Sequence, residues 1–221
     1  MCGRYALYGP VSRLRERFGV EPGDWIDRYN IAPTQVVPVI RAAKAGGREA
    51  IEAKWGLLPG WMKEPGKTAQ PINAKAETAA EKPMFRSAFR RFRILVPASG
   101  FYEWKQGPSG KQPFFIRIRG GKEPMGLGGL LERWEGPEGV VWSYCILTTE
   151  PNDLLVPIHN RMPVIIAPED YDAWLDPALT EPGIVGELIG PYPPELMEAY
   201  PVGKAVGNPR SQGPELVEPF Q

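Results

Sequence analysis

The chain has 221 residues, 43% apolar and 24% charged, and its 25 Gly and 26 Pro exclude a long-helix bundle or a coiled coil. Seven Trp, eight Tyr and eight Phe argue against disorder, and two Cys make neither a disulfide scaffold nor a zinc motif. Charges cancel overall, 26 basic against 26 acidic, yet residues 168–221 carry −8 and the rest +8, which excludes a surface coated in positive charge and leaves room for a local basic groove.

Along the chain, MCGRYALYGP lacks the basic and apolar regions of a secretion signal, and apolar runs such as 164–167 are too short to span a membrane. A reducing cytosolic location is the expectation. Residues 3–8 read as a strand. VSRLRERFGV, with Pro10 just ahead, reads as a short amphipathic helix ending near Gly19. DRYNIAPTQ reads as a loop. QVVPVIR and EAIEAKW read as strands joined through Lys44-Ala-Gly-Gly, and residues 56–70 as a Gly/Pro-rich loop displaying Trp61.

The segment 82–93, KPMFRSAFRRFR, has five basic residues and no acid. On a helix, Phe85, Phe89 and Phe92 share one face and Arg86, Arg90 and Arg93 a second, so the Phe stripe is expected inward and the Arg stripe toward solvent or phosphate. Strands follow at RILVPA, GFYEWK, PFFIRIR, MGLGGLLE and VVWSYCILT, joined by turns such as GPSG and GPEG, as in an antiparallel meander. Residues 151–175 read as short helix, loop, strand and helix. A helical stretch near 180–189 and a late strand around 201–206 complete the chain. With no repeat and no long linker, one α+β domain over 1–221 is expected, a mostly antiparallel, barrel-like sheet flanked by helices.

Four residues carry candidate chemistry. Removal of Met1 leaves Cys2 with a thiol beside a free α-amine, groups that titrate near ~8.5 and ~7.7–8. Such an aminothiol condenses with an aldehyde to an imine and then closes a thiazolidine ring; the plain alternative is an ordinary Cys near a terminus. His159, the sole histidine, lies in a Pro-bounded loop beside Arg161. Glu103, between Tyr102 and Trp104, faces away from them on a strand and is either exposed or buried with a raised pKa suited to acid–base work. Asn73 is either a turn or capping residue or a neutral group that holds the thiol or amine in place. Cys145 reads as a core strand residue.

CGRY, RYNIAP, WGLLPGW, INAKAET, MFRSAF, RILVPASGFYEW, PIHNRMP and AVGN, in that order from Cys2 to about Gly213, resemble the SRAP family (SOS-response-associated peptidase). The resemblance implies the SRAP fold and a processed Cys2 that crosslinks to the ring-opened aldehyde of an abasic site in single-stranded DNA as a thiazolidine. It implies that Asn73 positions Cys2, that Glu103 and His159 assist proton transfer, and that Arg4, Arg161 and the segment at Lys204 contact the DNA backbone. It also implies a peptidase activity that includes self-processing at the Cys. Two positions depart from the family pattern. Lys75 stands where Arg is usual, losing the bidentate fork, and Met62 replaces a second aromatic after Trp61, an apolar wedge in place of a stacking platform.

The residues fit this chemistry on their own terms. Arg4, Lys75, Arg86, Arg90 and Arg161 suit phosphates, and Trp61 and Trp104 suit base stacking. The reaction calls for no cofactor and no metal. A monomer is expected, cytoplasmic and nucleoid-associated when bound to DNA. Three other readings use the same residues: a Cys peptidase or N-terminal nucleophile hydrolase built on Cys2, His159 and Asn73 or Glu103; a non-covalent single-strand binder; and a metal site from Cys2, Cys145, Glu103 and His159, which their spacing does not support.

Overall fold

The computed structural model describes residues 2–21, 23, 26–63, 70–108, 110–121 and 124–220. Met1 and the loop stretch 64–69 lie outside them, as does one residue of the GPSG turn. The first elements are β1 (Tyr5–Leu7), α1 (Val11–Phe18), β2 (Arg28–Ile31), β3 (Val36–Ala42) and β4 (Arg48–Trp55). Helix α1 buries Leu14 and Phe18 and stops at Gly19, whose φ of 67° places it in the left-handed region open to glycine. Strand β2 falls inside the segment expected to be a loop. Its pairing with β1 supplies the ladder bonds that a sequence ending in Ala-Pro-Thr does not advertise.

Next come β5 (Asn73–Lys75), α2 (Ala76–Ala79), α3 (Arg86–Arg91), β6 (Arg93–Ala98), β7 (Gly100–Gly107), β8 (Gly110–Ile118), β9 (Met125–Gly136) and β10 (Gly139–Thr149). The last are β11 (Met162–Pro163), β12 (Ile165–Ile166), α4 (Tyr171–Leu175), α5 (Pro182–Glu187) and β13 (Met197–Pro201). One sheet runs β13-β8-β7-β1-β2, antiparallel throughout. The other runs β10-β4-β3-β6-β9 and returns through a β9–β10 pairing, closing a five-stranded barrel that β5, β11 and β12 extend.

The sheets are mostly antiparallel, as expected, and the exception follows from ring closure. A closed ring with an odd number of strands cannot alternate direction all the way round, and the mismatch falls between β4 and β10, which pair in parallel. β5 then continues the lane of β4 along the same strand: Trp55 pairs with Tyr144, and Asn73 with Ile146. The loop between them therefore leaves the sheet and returns to the lane it left.

A large cluster including Trp55, Tyr144, Phe101, Phe18 and Trp174 fills the barrel and its flanks. A smaller one around Tyr102, Phe115 and Val206 packs beneath the open sheet. Strand β7 serves both, so alternation along it sends Phe101 to the first cluster and Tyr102 to the second. Gly100 opens that strand against Phe115; a Cβ there would stand 2.2 Å from the Phe115 ring.

Three further expectations are corrected. The helix expected over 82–93 stops at Arg91, where Phe92 (φ −127°, ψ 45°) turns the chain into β6, and the helical period ends with it. Phe92 is consequently half exposed and Arg93 is 3% exposed. Arg93 is tolerated inside because its guanidinium donates to the carbonyls of Phe89 and Arg90 at the open end of α3, and to those of Trp174 and Asp176. The expected helix after Pro151 is a run of turns, because Pro157 has no N–H to continue a helical ladder. The late strand is β13, upstream of the expected 201–206, and Lys204–Gly207 forms a 3₁₀ turn.

Candidate active site

Cys2 precedes β1, and the β1–β7 register (Tyr5 opposite Phe101) carries the N-terminal residues alongside Glu103. The Asn73 amide, at the start of β5, donates to the Cys2 carbonyl at 2.9 Å. His159 arrives on the turn after β10, its Nε2 3.8 Å from Glu103 Oε2. Four segments far apart in sequence thus meet at one place. Cys2 is fully buried, not an ordinary terminal Cys, and Glu103 is 2% exposed. Beneath them the Tyr5 and Tyr144 hydroxyls share a 2.8 Å hydrogen bond, and burial keeps both phenols protonated.

Burial sets the electrostatics. It pushes the Glu103 carboxyl up to about 7, into the range of a general acid–base at neutral pH. It also raises the Cys2 thiol well above its ordinary range, with the Glu103 charge adding to the effect. Burial lowers the His159 pKa, keeping the imidazole neutral near pH 7. His159 Nδ1 lies 3.0 Å from the Arg161 N–H and 3.1 Å from the Arg161 carbonyl, so the Arg161 backbone can hold the ring in either tautomer, with Nε2 directed toward Glu103.

The Arg161 side chain does not reach outward. Its two terminal nitrogens form a two-pronged pair with Glu77 at 2.8 and 2.9 Å, and one of them also donates to the Thr148 carbonyl. Sequence reading assigned no role to Glu77, four residues after Asn73. It also missed Asn30, read as a loop residue. Asn30 is fully buried, accepts from Arg4 (3.1 Å), and donates to the carbonyls of Val206, Asn208 and Ser211, tying the AVGN segment to the N-terminus. The signal was present in each case as a polar residue inside a quoted motif, RYNIAP and INAKAET.

Among the remaining candidates, Lys75, Arg86, Arg90 and Lys204 are exposed and Arg4 is half-buried, its guanidinium on Asn30 and the Val206 carbonyl. Trp61 is 65% exposed on a turn fixed at both ends, the Gly60 N–H on Glu132 and the Met62 carbonyl on the Trp134 indole. Met62 itself is buried, and Trp104 packs half-buried against the smaller core. Cys145 lies in the barrel core. Among the described residues no group of three His, Cys, Asp or Glu side chains is placed to hold a metal ion, and no helix is long and apolar enough to cross a membrane.

Comparison with known proteins gives the family and the fold. The family profile described as SOS response associated peptidase (SRAP) matches residues 1–209. The chain is 38% identical over 99% of its length to the abasic site processing protein YoqW of Bacillus subtilis, covering 99% of that protein. It is 32% identical to the abasic site processing protein YedK of Escherichia coli, over 99% of this chain and all of that one. A crystal structure of a Bacteroides thetaiotaomicron protein superposes with a TM-score of 0.88, over the full length of both chains, at 24% identity.

Proposed function

The chain belongs to the SOS response associated peptidase family, and from that premise we propose that it recognises abasic sites in single-stranded DNA and captures them covalently through Cys2. The observation that carries the proposal is the meeting of Cys2, Asn73, Glu103 and His159. Removal of Met1 frees the Cys2 α-amine, and the amine attacks the aldehyde carbon of the ring-opened deoxyribose. The carbinolamine loses water as an acid delivers a proton to the departing oxygen, a step suited to a carboxyl that titrates near 7. The thiol then adds to the imine carbon and its proton passes to the Glu103 carboxylate, closing the thiazolidine. Aldehyde plus aminothiol gives the ring and one water, with no redox step. Asn73 holds the Cys2 carbonyl so that amine and thiol present together.

In this proposal the exposed Lys75, Arg86, Arg90 and Lys204 meet phosphates and the exposed Trp61 stacks on a base, while half-buried Arg4 borders the N-terminal region. The raised thiol pKa favours this chemistry over a Cys peptidase, which needs a ready thiolate; an imine needs only a thiol that sheds its proton as it attacks. Cleavage of the Met1–Cys2 bond, by the cell or by the chain itself, is the one peptidase step the proposal requires. The test is denaturing electrophoresis of processed protein with single-stranded DNA carrying one abasic site. A covalent band that disappears in Cys2→Ala and in a form retaining Met1 supports the reading. No band on verified abasic DNA overturns it.

A further inference from the structure

We infer that Glu77 is a positioning residue for the proposed reaction, acting through Arg161 to fix the orientation and tautomer of His159. The inference rests on the function proposed above for the importance of His159, but its geometry stands independently. Glu77 lies 84 residues before Arg161 in sequence, yet its two carboxylate oxygens take both terminal nitrogens of that guanidinium. The Arg161 side chain is only 13% exposed and also donates to the Thr148 carbonyl of β10. One end of Arg161 is thereby tied to α2 and to the barrel wall.

The backbone of the same residue holds the catalytic ring. Arg161 N–H stands 3.0 Å from His159 Nδ1, and Arg161 C=O stands 3.1 Å from the same atom. A ring with a bare Nδ1 accepts from the N–H, and a ring protonated at Nδ1, neutral or charged, donates to the carbonyl. In both states Nδ1 stays on Arg161 and Nε2 stays directed at Glu103. The ionisable groups acting on the ring are Glu103 on β7, the terminal α-amine and Lys111 on β8. The Arg161 backbone holds Nδ1, so the Glu77–Arg161 pair acts on the aim of the ring through that residue.

Because His159 is the sole histidine, its ring nitrogens give one set of signals with no assignment needed. The test is a ¹⁵N long-range spectrum across pH of processed wild type, Glu77→Gln, Glu77→Ala and Arg161→Lys, with crosslinking rates on abasic single-stranded DNA. Wild type is expected to show one dominant tautomer. Glu77→Ala is expected to mix tautomers, shift the ring titration and slow crosslinking about tenfold, part of the ~10²–10⁴ that positioned acid–base groups contribute. Glu77→Gln, which keeps one acceptor oxygen and the side-chain volume, is expected to fall between them and serves if Glu77→Ala fails to fold. A wild-type ring spectrum in a folded Glu77→Gln or Glu77→Ala overturns the inference. An unchanged tautomer in Arg161→Lys with a shallower salt dependence of crosslinking also overturns it, and makes Arg161 a phosphate contact. If wild type gives no crosslink, the proposed function fails, while the ring spectra still judge the positioning.

Discussion

Arg93 and Glu103 are buried to nearly the same degree, at 3% and 2% exposure, and they do opposite things. Arg93 spends its donors on four backbone carbonyls, two of them at the open end of α3, and stacks near Trp174. Burial lowers its pKa only to about 10, so it remains a cation that caps a helix. Glu103 faces a titratable ring and a thiol instead, and burial brings its carboxyl to about 7. Burial alone therefore does not mark a reactive charge. A buried charge answered by fixed carbonyls is architecture, and one answered by groups that exchange protons is chemistry.

Substitutions separate the two. Arg93→Ala strands several carbonyls inside and is expected to cost about 3 kcal/mol or more in stability by denaturant unfolding, while whatever protein stays folded still crosslinks at the wild-type rate. Glu103→Gln is expected to reverse that pattern. Its crosslinking rate should fall about 10²-fold and lose the inflection near neutrality in a pH–rate profile. A carboxyl raised from 4.5 to about 7 on folding binds more protons in the native state. The Glu103 carboxyl should therefore make wild type lose roughly 2–3 kcal/mol of stability as pH rises from 4.5 to about 7, a component that Glu103→Gln removes from the profile. Unfolding midpoints at several pH values check the sign.

Two smaller changes sharpen the contrast. Asn73→Ala removes the donor to the Cys2 carbonyl and is expected to cost about 1 kcal/mol in stability, with a slower crosslink visible in a time course. Lys75→Arg restores the planar fork on an exposed position and is expected to tighten binding of single-stranded DNA only a few-fold, less than about 1.4 kcal/mol, read by fluorescence anisotropy at fixed salt.

Much of this was legible in the sequence. Alternation in SGFYEWK placed Glu103 opposite Tyr102 and Trp104, and the strands from β6 to β10 stand where apolar runs between Gly-Pro turns put them. The burial of Glu103 was not legible, because alternation separates faces without saying what covers them. Phe92 and Arg93 were misread because a helical period continues on paper past the residue where the backbone leaves the helix. The parallel β4–β10 pair and the return of β5 to the lane of β4 are properties of ring closure, which no local pattern encodes. The Glu77–Arg161 pair spans 84 residues and depends on that closure, since β10 and β5 bring its two halves together.

The most direct measurement of the central claim is intact mass spectrometry of the processed protein after reaction with single-stranded DNA bearing one abasic site, with borohydride added in a parallel sample. The expected adduct has the mass of protein plus DNA less one water, maps to Cys2, resists reduction and leaves no alkylatable thiol at Cys2. An adduct that maps elsewhere, or one at Cys2 that gains two hydrogens with borohydride and keeps a free thiol, would contradict thiazolidine capture by Cys2.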